Sequence, residues 1–165
     1  MAGWRMAGCC LAGWCLASCG GPDEAPVRVA AAPPTGSAAQ QCGDVVSASP
    51  DRVAGQSARD VASAGGYAAA WGDPPIVLTC GGTAPRALTP SSRCFRVNGV
   101  DWLVTQHGRE VDSAAPLSGD LVFTTVGRSA YVRLVVPDAY QPASDALVDL
   151  AGAIRSSTAA TDPCR

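Results

Sequence analysis

Apolar residues in this chain recur in two rhythms. The residues Ala143, Ala146, Leu147, Leu150, Ala151 and Ile154 fall on one stripe at helical spacing. Pro142 stands where a first helical turn tolerates proline, and Asp145 sits near the positive helix start. A helix over 143–154 follows. Upstream the period shortens to two. Ile76-Val77-Leu78-Thr79-Cys80 lies between Pro74-Pro75 and Gly81-Gly82 and reads as a strand bounded by breakers. Residues 93–97 alternate, Asn98-Gly99 follows, and 100–104 returns; Asn-Gly is the strongest short hairpin signal, because both residues tolerate positive φ. A second pair runs over 120–126 and 130–136, joined through Gly127-Arg128-Ser129. In its second strand Val132, Leu134 and Val136 face the core, with Tyr131, Arg133 and Val135 on the opposite face. Residues 38–48 form a short helix ending before Pro50, and 51–67 lack a clear period. Together these elements predict an α+β domain: a mostly antiparallel sheet of about five strands with helices packed on one face.

The N-terminal pattern is different. An apolar run from Met6 to Ala17, preceded by Arg5, ends in Leu16-Ala17-Ser18-Cys19. A secretory signal has a positive start, an apolar stretch of about 7–15 residues and small residues at the cut. Leu, two small residues and then Cys is the lipobox pattern, so cleavage is expected before Cys19, with a diacylglycerol on its thiol. Buried acyl chains contribute about 0.8 kcal/mol per CH₂, so two chains hold where one does not. The run is shorter than the ~20 apolar residues of a membrane-spanning helix. Cys9 and Cys10 have too little apolar chain before them, and Cys15 follows the bulky Trp14. Residues 1–18 are read as signal peptide, 19–39 as the lipidated Cys and a flexible Gly/Pro/Ala tether, and 40–165 as one domain. The expected location is the extracytoplasmic face of the cell membrane.

Charge and cysteine count narrow the picture. Loss of 1–18 leaves 11 Arg against 14 acids, a net charge of −3, with no Lys anywhere in the chain. A weakly acidic domain with scattered Arg lacks the basic stripe that nucleic acid demands. Cys42, Cys80, Cys94 and Cys164 remain in the domain. An even count in an exported domain predicts two disulfides, and no Cys-x-x-Cys pair points to a metal. Of three connectivities, Cys80–Cys94 with Cys42–Cys164 is preferred, the first linking neighbouring strands and the second tying the domain's ends.

No residue set reads as catalytic, and no cofactor motif is present. His107, the sole histidine, lies in a loop tip, Gln106-His107-Gly108-Arg109, and no Ser sits in a Gly-x-Ser-x-Gly elbow. Gly65-Gly66 and Gly81-Gly82 lack a following Lys-Ser/Thr and read as turns. Asp73, Asp101, Asp112 and Asp120 are the carboxylates from which a paired-acid hydrolase acting on cell wall would draw, although each has a simpler reading at a turn or strand edge. Trp71-Gly72-Asp73-Pro74-Pro75 is the most distinctive local block. Its structural reading is a rigid strand entry, with Trp71 packed on the sheet and Asp73 bonding turn N–H groups; its functional reading is a binding rim anchored by Trp71. Arg128 is read as pairing with an acid such as Asp120, or as holding an anionic ligand. Trp71, Asp73 and Arg128 are therefore the candidate binding surface.

Several of these blocks, taken in order, resemble one family. Ala70-Trp71-Gly72-Asp73-Pro74-Pro75-Ile76-Val77-Leu78 with Cys80-Gly81, then 97–102, then Phe123-Thr124-Thr125-Val126-Gly127-Arg128, then Tyr140, Pro142 and 146–150 are similar to the blocks of an actinobacterial exported family, domain of unknown function 3515. His107 falls in none of them. The resemblance implies an envelope protein of a GC-rich Gram-positive bacterium, often a lipoprotein, and implies no activity. The expectation is a non-catalytic binding or adaptor module, lipid-anchored and facing an envelope protein or ligand, with the cell-wall hydrolase as the alternative.

Overall fold

The computed structural model describes residues 24–111 and 118–164. The signal segment, Cys19 and Asp112 lie outside the described residues. In chain order the elements are β1 (Val27–Val29), α1 (Ser37–Ser47), β2 (Arg52–Val53), β3 (Gln56–Arg59), β4 (Val61–Ser63), β5 (Ala68–Trp71), β6 (Ile76–Cys80), β7 (Cys94–Val97), β8 (Val100–Gln106), β9 (Arg109–Glu110), β10 (Leu121–Val126), β11 (Val132–Val136) and α2 (Ser144–Ser157).

The main sheet runs β2-β3-β5-β6-β11-β10-β8-β7, with β9 added beside β8. Its pairings are antiparallel. The sheet thus has nine strands among the described residues, not about five. The four extra strands come from segments with no readable period. Ala68-Ala69-Ala70-Trp71 and Gln56–Arg59 are poor intrinsic strand formers. They are extended because β6 offers its edge to β5, and β5 then offers its own to β3. The β2–β3 turn places Ala54 and Gly55 at φ 48° and 74°, the same geometry as Asn98 and Gly99 at 46° and 80°. Ala at a positive-φ site carries no sequence signal, so only the second hairpin was legible.

Part of the expected tether is also structured. Val27–Val29 pairs in parallel with Val61–Ser63, and α1 begins at Ser37, one residue before the expected helix over 38–48. Arg59 reinforces this docking through an ion pair with Glu24 at 2.8 Å and a hydrogen bond to the Ala25 carbonyl at 3.0 Å.

Both helices cover one face of the sheet. Cys42 and Val45 of α1, and Leu147, Leu150, Ala151 and Ile154 of α2, form one core with Ile76, Leu78, Val132, Leu134, Trp102 and Phe123. Trp102 and Phe123 meet edge to face at 6.4 Å, an arrangement that suits the ring quadrupoles. Asp149 ties α2 to the β2–β3 hairpin by accepting the Ala54 N–H at 2.8 Å.

Two disulfides are present, Cys42–Cys80 and Cys94–Cys164. The preferred pairing was therefore wrong, and strand order explains why. Between β6 and β7 lie β11, β10 and β8. Four steps of about 4.8 Å put Cys80 and Cys94 some ~19 Å apart, beyond the ~7 Å Cα limit for a bridge. Cys80 also points to the helix-covered face, where α1 brings Cys42 to a Cα separation of 5.2 Å. Cys94 sits opposite Leu103, on the other face, where the C-terminal segment arrives.

Candidate functional site

The face of the sheet away from the helices is partly covered by chain rather than by secondary structure. After β6 the segment 81–93 crosses from the middle of the sheet to its edge at β7. Ser92, almost fully buried, orders this crossing: its hydroxyl accepts the Thr89 N–H at 2.9 Å and donates to the Ala87 carbonyl at 3.2 Å. From the other end, residues 158–164 lie along the β10–β11 connection, with hydrogen bonds from Ser129 N to Ala159 O and from Thr161 N to Gly127 O. Gly127 is required there: a Cβ would collide with the Asp162 carbonyl oxygen.

Between the crossing segment and the sheet a concavity of about 430 Å³ remains open. Its floor carries Thr79, Thr105, Thr124 and Arg133, with Tyr131 beside them and Arg86 from the crossing segment. Register sets the order of the floor. Arg133 lies directly opposite Thr79 on β6 and directly opposite Thr124 on β10. Cross-strand partners hold their Cβ atoms about 4.5–5.5 Å apart, so one guanidinium stem stands between two hydroxyls. Thr79 and Thr105 reach carbonyl oxygens only at 3.5 Å, the outer edge of hydrogen bonding, so their hydroxyls are free to turn toward a guest. Neither Arg133 nor Arg86 has an acceptor among the described residues, and no acidic side chain is among the described lining residues. The alternation in 130–136 did place Tyr131 and Arg133 away from the core. It carried no information about their neighbours Thr79, Thr124 and Arg86.

The residues chosen from sequence are placed otherwise. Trp71 is 1 % exposed, and its indole N–H donates to the Pro50 carbonyl at 2.9 Å. It is a core anchor and not an exposed rim. Asp73 is exposed in the turn before β6, and among the described residues its carboxylate has no hydrogen-bond partner. Gly72 next to it has φ 75°, with space for a Cβ taken by the Tyr140 hydroxyl at 2.6 Å. The Trp-Gly-Asp-Pro-Pro block is thus a packing joint between the β5–β6 turn and the segment leading to α2.

Arg128 neither pairs with Asp120 nor faces a cleft. Its Nε donates to Thr158 Oγ1 at 2.9 Å, and its Nη2 to the carbonyls of Ile154 and Arg155 at 3.3 Å each, and to that of Thr158. These carbonyls belong to the last turn of α2, where that of Ile154 also accepts the Thr158 N–H at 3.0 Å. A cation there also meets the negative end of the helix dipole. Partial burial lowers the Arg128 pKa, with the nearby Arg155 charge adding to the effect. Asp120 instead accepts the Asp138 N–H at 3.3 Å.

The remaining candidates are dispersed. Asp101, nearly buried, takes a two-pronged hydrogen bond from Arg96 at 2.6 and 2.9 Å and the Cys164 N–H at 3.3 Å. The Arg96 hydrogen bond leads in holding its carboxyl below the usual range, against burial, which pushes it up. Asp101 is opposite Val126 at one end of the sheet, while Asp120 and Asp73 lie at the other end. His107 and Gly108, at φ 50° and 75°, form the tip of the β8–β9 hairpin. Among the described residues no group of three or more His, Cys, Asp or Glu is placed to hold a metal, and no helix is long and apolar enough to cross a membrane.

A second concavity, about 230 Å³, lies where Phe95, Phe123 and Val104 extend past the start of α2 at Pro142 and Leu147. Phe95 is 50 % exposed there. This groove is almost wholly apolar, so it offers contact without orientation.

Fold and site define a class: a disulfide-stapled α+β domain with helices on one sheet face and an open, hydroxyl- and arginine-lined concavity on the other. Its cysteines are paired, and its distinctive sequence blocks are joints of the scaffold. The chain belongs to the family described as protein of unknown function DUF3515, whose model matches residues 8–163. No curated protein and no solved structure matches it.

Proposed function

We propose that this protein is a lipid-anchored extracytoplasmic module of the cell envelope that binds a ligand or partner on the open face of its sheet, without catalysing a reaction. The observation that carries the binding reading is the concavity over Thr79, Arg133 and Thr124, whose size lies within the range of about 300–1,000 Å³ usual for ligand sites. The lipobox ending at Cys19 supports the anchor. Two disulfides in a small domain suit an oxidising compartment.

The paired-carboxylate hydrolase is less well supported. Asp101 is committed to Arg96, and Asp73 and Asp120 lie in the connections before β6 and β10, two strands that β11 separates.

The test is made in cells on tagged full-length protein. Wild type should sediment with membranes, and Cys19→Ala should appear in the medium; a variant that still sediments refutes the anchor. Crosslinking of the wild type should capture one dominant envelope component that Arg133→Gln loses. An identical capture pattern in the two proteins refutes the open face as the binding surface.

A further inference from the structure

The open face has a chemical bias that goes past "binding surface". We propose that the Arg133 concavity is an oxyanion site, taking a phosphate or carboxylate group carried on a small hydroxylated molecule or polymer end. The proposal rests on the reading of that face as a binding surface and names what it binds.

Three observations converge. First, the row Thr79–Arg133–Thr124 is fixed by register on three adjacent strands in the middle of the sheet. A guanidinium forks two N–H donors onto two oxygens of a carboxylate or phosphate. Hydroxyls on either side donate to the oxygens the fork leaves over. Central strands of a rigid sheet hold these donors in place, so little ordering accompanies binding.

Second, charge in the concavity is uncompensated. Three other arginines are committed to protein acceptors, Arg96 to Asp101, Arg59 to Glu24 and Arg128 to the end of α2. Arg133 and Arg86 both line the concavity, one from the floor and one from the crossing segment, with no acid among the described residues that line it. Two positive charges facing one space on a chain of net charge −2 form a local field opposite to that of the whole molecule. An anion is the guest that field favours. Two cations fall short of the stripe needed for a nucleic-acid backbone.

Third, the rest of the lining is suited to the carrier of the anion. Thr105 and Tyr131 add hydroxyls, and Gly82 has open space where a side chain would stand. That surface accepts a polyol better than a bulky apolar group.

The experiment uses full-length ¹⁵N-labelled protein in detergent micelles, titrated at constant ionic strength with glycerol 3-phosphate, glucuronate and glycerol. Saturable amide shifts centred on Thr79, Thr124 and Arg133 are expected with one or both anions and not with glycerol. The two anions separate a phosphate source from a carboxylate one. Arg133→Gln should weaken the binding by about tenfold, and Arg86→Gln several-fold, as expected for charge-assisted contacts. Both side chains are exposed, so neither variant threatens the fold, and Arg28→Gln on β1 serves as the unchanged control. No saturation with either anion, equal shifts with glycerol, or undiminished affinity in Arg133→Gln overturns the proposal. If in-cell capture still depends on Arg133 while the anions fail, the ligand class falls and the binding surface stands. Loss of both removes the surface as well.

Discussion

Arg128 is the residue whose role the structure changes most, and its replacement by Ala tests that role. The guanidinium meets four acceptors at the end of α2: Thr158 Oγ1 and the carbonyls of Ile154, Arg155 and Thr158. The Arg155 carbonyl is exposed and water replaces the lost donor at small cost. The Ile154 carbonyl keeps the Thr158 hydroxyl at 2.6 Å, so it is not orphaned. Thr158 itself is 4 % exposed, and its carbonyl and hydroxyl lose a charged donor in a place water reaches poorly. Hydrogen bonds to charged groups contribute about 1.5–3 kcal/mol each, and the helix-dipole term another ~0.3–1 kcal/mol. With the bonds shared on one group, the expected loss is about 2–4 kcal/mol. At a mid-range urea slope of about 2 kcal/mol/M, the unfolding midpoint falls by about 1–2 M. Arg128→Lys keeps the charge without the fork and should recover about half of the loss. A double-mutant cycle distinguishes partners. Arg128→Ala with Thr158→Val should couple by about 1 kcal/mol, whereas Arg128→Ala with Asp120→Asn should be additive within ~0.5 kcal/mol. A cost for Arg128→Ala below ~0.5 kcal/mol, or coupling to Asp120 instead, refutes the capping role.

The acid limb of stability should report Asp101. Its pKa is lowered in the fold, chiefly by the Arg96 hydrogen bond, so its contribution is full above the unfolded carboxyl pKa of about 3.9 and fades as pH falls through the folded value. Asp101→Asn should therefore be less stable than wild type near neutral pH, the gap closing below about pH 4 in pH-dependent urea melts; a gap that widens on acidification contradicts the pairing. Peptide mapping of the unreduced protein should recover Cys42 linked to Cys80 and Cys94 linked to Cys164, with four hydrogens gained on full reduction. A Cys80–Cys94 peptide contradicts the strand order, and free thiols at these positions contradict the two bridges.

Features under short-range chemical control were legible in the chain. The stripe from Ala146 to Ile154 became α2, with Ala146, Leu147, Leu150, Ala151 and Ile154 all buried. Ile76–Cys80 became a strand with its stated ends, and Asn98-Gly99 made its hairpin at positive φ. Four domain cysteines became two disulfides. Side-chain period, turn stereochemistry and an even cysteine count need no knowledge of distant residues.

Which elements became neighbours depended on long-range packing. The alanine-rich β5 is a strand because β6 lies beside it. Cys80 and Cys94 are kept apart by three intervening strands. Trp71 is buried because Pro50 reaches its indole, and Arg128 caps a helix that begins sixteen residues later, with Ser144. The concavity joins β6, β10, β11 and the crossing segment, and no window of the chain contains Thr79, Arg133 and Thr124 together. Register between strands far apart in the chain fixes that row. Strand order and register are settled by packing one face of the whole sheet against the two helices, and the chemistry on the other face follows from them.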